Sequence, residues 1–129
     1  MFKCPLRDCR TTPVMSYMLL IVEPVGQRAE RTPAQGEDAY AQMVAWGQQL
    51  TERGQLRASE ALATAATRVQ VRAGRTQSFD GPFAEAKEMV GGFFLLDVAT
   101  REEALAIAAQ CPAAQWASVE VRELAPCFM

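Results

Sequence analysis

The sequence predicts an α+β domain, a split β-α-β plait with two helices on one face of an antiparallel sheet. Three observations carry this. Segments of strand period and helix period follow one another in the order β, α, several β, α, β. The connections are short enough that right-handed crossovers make the plait the simplest arrangement. The 129 residues, half of them hydrophobic, suit one domain around one core.

Residues 1–14 mix Cys, Pro, Arg and Thr without a period and read as an N-terminal extension. The domain is expected over 15–124, followed by a short tail over 125–129. Residues 16–22, Ser-Tyr-Met-Leu-Leu-Ile-Val, are almost continuously apolar, as in a central strand buried on both faces. Residues 24–36 carry Pro24, Gly26, Pro33 and Gly36 and read as a long loop, a length often found in lids. A first helix is expected over 37–53, with Ala39, Met43, Trp46 and Leu50 on its buried face and Gly54 as its stop.

Residues 57–62 form a short strand carrying Glu60. Residues 67–72 alternate, with Thr67, Val69 and Val71 on one side and Arg68, Gln70 and Arg72 on the other. Ala73-Gly74 turns the chain into a partner strand over 75–79, which delivers Phe79 and Asp80 to its end. A strand from Phe93 to Val98 follows. Thr100-Arg101-Glu102-Glu103 reads as a capping box opening the second helix. Ala104, Ile107, Ala108 and Cys111 share a helical face, which makes Cys111 a core thiol. The last strand spans 117–123, with Val119 and Val121 inward. Two helices on one face leave the other face bare, and a second copy of the same sheet is its natural cover, giving a twofold dimer.

Composition removes several classes of function. A net charge of −2 gives no electrostatic case for nucleic acid or an anionic membrane. The chain has no histidine, so neither a Ser-His or Cys-His nucleophile nor a His-ligated metal is available, and no metal is expected. No Gly-x-Gly-x-x-Gly or Walker-type segment occurs, so no nucleotide cofactor is expected. No apolar run approaches the roughly 18 residues of a membrane span, and no signal-peptide pattern opens the chain. The expected location is cytoplasmic, where Cys4, Cys9, Cys111 and Cys127 stay reduced. A link from Cys4 or Cys9 to Cys127 is the alternative if the two tails meet.

The polar chemistry gathers between Asp80 and Asp97. Gly81-Pro82 stiffens a turn that holds Asp80 at its start. Glu85, Lys87 and Glu88 follow, and Gly91-Gly92 lets a backbone or a ligand approach closely. Asp80 fits two roles, a turn cap or an acid/base carboxylate at the rim of a pocket. Lys87 is either a solvated charge pairing with Glu85 or Glu88, or an amine for an anionic substrate. The pair Arg68 and Arg72 is either an anion site or the wet side of a sheet.

Asp80-Gly81-Pro82-Phe83, then Ala84-Glu85-x-Lys87-Glu88, then Gly91-Gly92-Phe93, resembles the DGPF-domain branch of the YCII-related proteins. Tyr17-Met18-Leu19-Leu20-Ile21, Ala58-Ser59-Glu60-Ala61-Leu62 and Val119-Glu120-Val121-Arg122 extend the resemblance to about residues 15–124. It implies a ferredoxin-like protomer, with an extra hairpin, pairing into a dimeric α/β barrel. It also implies an acid-base role built on a His-Asp pair. Only Asp80 carries over, and Gln55 stands near the position where relatives commonly show histidine.

The leading expectation is a small-molecule acid-base enzyme using Asp80 in a cleft at the homodimer interface. Glu60, Pro82, Phe83, Glu85, Lys87, Gly91 and Gly92 would line that cleft and bind the substrate. The alternatives are a ligand-binding or regulatory module without chemistry, which the resemblance associates with extracytoplasmic-function sigma factors, and a purely structural dimer in which Asp80 only caps a turn.

Overall fold

The computed structural model describes residues 16–81, 83 and 85–127. Its elements are β1 (Tyr17–Pro24), α1 (Pro33–Glu52), β2 (Leu56–Ala61), β3 (Thr67–Arg72), β4 (Arg75–Asp80), β5 (Glu88–Leu96), α2 (Arg101–Gln110) and β6 (Ser118–Glu123). The expected extension over 1–14, with Cys4 and Cys9, lies outside the described residues.

Antiparallel pairing of β1 with both β5 and β6, and of β2 with β5, gives a four-stranded sheet in the order β2-β5-β1-β6. This is the α+β plait expected from the order of elements. The hairpin β3–β4 stands apart as its own two-stranded sheet. Ala73 at φ 52 and Gly74 at φ 76 form its turn, since a two-residue hairpin of this twist needs left-handed backbone at both positions.

The core lies between the sheet and the two helices. Tyr17, Leu19 and Ile21 of β1 face it, beside Phe94 and Leu96 of β5 and Trp46 and Leu50 of α1. Trp46 meets Phe94 edge to face at 4.9 Å between ring centres, an arrangement worth about 0.5–1.5 kcal/mol beyond area burial. Cys111 is buried with this cluster, immediately after α2 rather than within it.

Four expectations are corrected. First, α1 begins at Pro33 rather than residue 37. Thr32 accepts from the Gln35 amide while the Gln35 side chain accepts from the Thr32 amide, and Pro33 occupies the first helical position. The loop before it is correspondingly shorter and holds a 3-10 turn over Arg28–Glu30.

Second, β5 begins at Glu88 rather than Phe93, so the glycine pair lies inside a strand. Ile21 pairs with Gly92 and Val22 with Val90, which leaves Gly91 as the extra residue of a β-bulge.

Third, β1 is fully buried on one face only, Val22 being the one buried residue of the other. Its other face, with Met18 and Leu20, is half-buried alongside Phe93 and Leu95 of β5. Fourth, Thr100 caps α2 by accepting from the Glu103 amide, but the Glu103 carboxylate accepts from the Thr100 hydroxyl and not from its amide. The second half of the capping box is therefore absent.

Among the described residues, no helix is long and apolar enough to cross a membrane.

Candidate functional site

The site is built from three strands and the loop after β1. Alternation along β1 turns Tyr17, Leu19 and Ile21 toward the helices, and the next residue in phase is Glu23. Its carboxylate is therefore carried to the core side and is only 4% exposed. A buried charge needs a partner, and the 3-10 turn supplies Arg28, whose Nη2 lies 2.6 Å from Glu23 Oε1. The contact is off the N–H axis, so Oε1 is neutralised without an aligned hydrogen bond.

Arg28 also donates from Nη1 to the Leu62 carbonyl at 2.7 Å and from Nη2 to the Gly91 carbonyl at 3.2 Å. One guanidinium thus ties β1, the end of β2 and the bulge of β5 together.

The bulge makes this pair fit. A Cβ on Gly91 would collide with Glu23 Oε1 and lie 2.8 Å from Arg28 Nη2. A Cβ on Gly92 would lie 2.9 Å from the Glu60 carbonyl of the neighbouring strand. Both glycines thus serve close approach, Gly91 to side chains and Gly92 to backbone.

Above this floor, between α1 and the sheet, lies an open groove of about 550 Å³. Met43, Val44 and Gly47 of α1 form its roof with Tyr40 and Gly36, while Ile21, Phe94 and Leu56 form an apolar base. Arg31 and Trp116 flank one end, and Ser59 and Ala61 of β2 the other. Arg31 lies with its guanidinium carbon 5.8 Å from the Trp116 ring centre and donates to Gln27 Oε1 at 3.2 Å. Gln27 in turn donates to the Trp116 carbonyl at 2.6 Å. Among the described residues, no group of three or more His, Cys, Asp or Glu side chains could hold a metal ion.

The residues singled out from sequence fall into two places. Glu60, Gly91 and Gly92 line the groove. Glu60 does so mainly through its main chain, because Ser59 and Ala61 face the helices and alternation turns the Glu60 carboxylate the other way.

The others belong to the free-standing hairpin and the loop after it, and the described residues of that group do not line the groove. Asp80 is exposed and its Oδ1 accepts from the Thr67 hydroxyl at 2.8 Å, across the pair that ends the hairpin. Arg68 stacks on Phe83 with its guanidinium carbon 3.9 Å from the ring centre and donates to Glu85 Oε1 at 3.0 Å. The Glu85 carboxyl is held below the ordinary glutamate value by a backbone amide hydrogen bond first and by Arg68 second. Lys87 is exposed, and its carbonyl accepts from the Val25 amide at 2.9 Å. Pro82 lies outside the described residues.

Asp80, Glu60 and Gly92 therefore do not converge within one protomer as the strand order suggested. The hairpin forms its own sheet instead of extending the sheet that holds the other two.

Sequence reasoning missed Glu23, Arg28, Arg31 and Trp116. One signal was present for Glu23, a carboxylate in phase with the core residues of an apolar strand. No spacing rule announces Arg28 or Arg31, because both sit in an irregular segment that only the folded chain brings to the groove.

Residues 15–127 match the YCII-related domain. An uncharacterised protein of Rhizobium meliloti (strain 1021) is 47% identical over 64 residues, covering 48% of this chain and 52% of that protein. The chain thus spans about half the length of the curated relative it matches. The domain match runs almost the length of the chain and the sheet has the strand order of the plait, so the protein belongs to the YCII-related family.

Proposed function

We propose that the protein binds a small organic molecule in the groove between α1 and the sheet. The observation that carries this is an open space of about 550 Å³ lined by a buried carboxylate, Glu23, paired with the half-exposed Arg28 guanidinium. Ligand sites are typically concave and mostly apolar with a few fixed polar groups, and they fall in this size range. A glycine bulge spent on accommodating a charged pair beside such a space fits a site better than a plain core, where apolar side chains would pack at no desolvation cost.

A titration followed by amide NMR tests this with a fragment set of small acids, alcohols and amines. Saturable shifts shared by Gly36, Gly91, Gly92 and the Trp116 indole are expected. Shifts confined to Met18, Leu20 and Leu95, or none at all, would refute it.

A second reading concerns the other face of the sheet. Met18, Leu20, Phe93 and Leu95 form an apolar strip there, and the hairpin leaves Val69 and Val71 61% and 58% exposed. A homodimer that covers this face would be the dimeric α/β barrel, and it would give Asp80 an enclosed surrounding in which acid-base chemistry becomes available. The reading carries with it the DGPF branch, on the strength of Asp80-Gly81-Pro82-Phe83 and Gly91-Gly92-Phe93. Sedimentation equilibrium tests the pairing. A monomer at all concentrations would remove both the barrel and the Asp80 cleft.

A further inference from the structure

We infer that the groove selects an organic oxyanion, with the acidic group on Arg31 and an apolar body lying between Met43 and Phe94. The inference rests on the groove being a binding site. It follows from the balance of charge along the walls. Glu23 and Arg28 neutralise each other, and Arg28 is further engaged by two carbonyls. The Glu60 carboxylate is turned to the opposite face of the sheet. Arg31 is left as the uncompensated charge facing the space, since among the described residues no carboxylate lies against it.

Arg31 is also held in place before any ligand arrives. The Trp116 ring lies 5.8 Å from its guanidinium carbon, within cation–π range, and Gln27, anchored on the Trp116 carbonyl, takes one N–H. A guanidinium carries five donors in a planar fork suited to carboxylate, phosphate or sulfonate oxygens, and only one of them is used by Gln27. Positioning costs little when the fork is already oriented. The first turn of the 20-residue α1 follows directly, with Gly36 on the groove wall, and the positive end of that helix favours the same sign of ligand. Between the walls Met43, Val44, Ile21 and Phe94 offer apolar contact.

Two fluorescent probes of the same body separate the two claims. 1-Anilinonaphthalene-8-sulfonate carries an oxyanion, and N-phenyl-1-naphthylamine lacks it. The folded wild-type chain is expected to bind the sulfonate about tenfold more tightly than the neutral probe. Arg31→Gln should bring the ratio of the two affinities close to one, and Arg31→Lys should restore part of the preference. Ala39→Trp, which fills the groove, should abolish binding of both. Independently of any variant, the Trp116 indole N–H resonance of the wild type should shift on adding the sulfonate.

Equal affinities in the wild type, or no effect of Arg31→Gln, would overturn the anion preference while the loss with Ala39→Trp still supports the groove. An unmoved Trp116 resonance, or both probes retained by a folded Ala39→Trp protein, would overturn the groove and the inference with it. If Ala39→Trp does not fold, the Trp116 resonance decides between these.

Discussion

Glu23 on β1 and Arg28 on the following 3-10 turn meet at 2.6 Å directly beside Gly91 of β5, and the pair occupies the space that any side chain at Gly91 would need. Three segments depend on one absent Cβ. Gly91→Ala should therefore displace the pair and cost about 1–3 kcal/mol, less than for a fully buried pair because the Arg28 side chain is 34% exposed. Gly36→Ala is the control, since a Cβ there meets nothing within 4 Å. In helix α1 it should stabilise by about 0.5–1 kcal/mol. Urea unfolding of the two variants measures both.

Removing both partners should cost less than the two single removals added together. Glu23→Leu leaves Arg28 charged without its carboxylate, and Arg28→Met leaves a carboxylate buried without its cation. Arg28→Met is expected to cost about 3 kcal/mol and Glu23→Leu less, since the 34%-exposed Arg28 keeps two carbonyl partners, and the double variant should lose clearly less than the sum. A double-mutant cycle by denaturant unfolding gives the coupling directly, and additive losses would show that the two residues act separately.

Asp80 behaves differently because its contact is at the surface. The Thr67 hydroxyl donates to it at 2.8 Å on an exposed hairpin. Asp80→Ala should change the stability of the isolated protomer by no more than about 1 kcal/mol. A larger loss, growing with protein concentration, would place the side chain in an interface between copies.

Acid should loosen the loop after the hairpin. The Glu85 carboxyl is depressed by a backbone amide and by Arg68. A depressed folded value means the contact is fully present above the unfolded glutamate value and is lost as pH falls through the lower folded one. A carbon-detected NMR titration should place the Glu85 midpoint below the ordinary glutamate value, and Arg68→Gln should raise it.

The two described thiols should react at very different rates. Burial pushes the Cys111 thiol up and hides it in the core, whereas Cys127 is exposed. Iodoacetamide with mass-spectrometric mapping should label Cys127 in the native protein and Cys111 only on unfolding.

The fold was legible because its signals are local. The apolar run at Tyr17–Val22, the stripe Met43, Trp46 and Leu50, and the Ala73-Gly74 turn each specify their own element. Boundaries failed where a local device went unnoticed, as with the Thr32–Gln35 cap that extends α1 back to Pro33. The close packing at Gly91-Gly92 was readable, since glycine pairs in strands mark approach. What approaches was not, because Glu23 and Arg28 lie more than sixty residues earlier in the chain and reach the bulge only through the crossover that sets β1 against β5. Asp80 stood out through the stiff Gly81-Pro82 turn, the charges that follow it and the resemblance that carries it over. Within the protomer the charges beside it form a small surface cluster in which Arg68, Phe83 and Glu85 answer one another.

The free-standing hairpin has one more implication. The Leu62 amide donates to the Gly91 carbonyl, and the Val25 amide donates to the Lys87 carbonyl. The sheet is therefore sealed on both sides of the excursion between β2 and β5 before the hairpin contributes anything. The plait is topologically complete without that excursion, and chain length there is an open variable. Residues can be added or lost at this point by evolution or by engineering without re-registering a single core strand, which makes the β2–β5 connection the port through which this scaffold can acquire new surface.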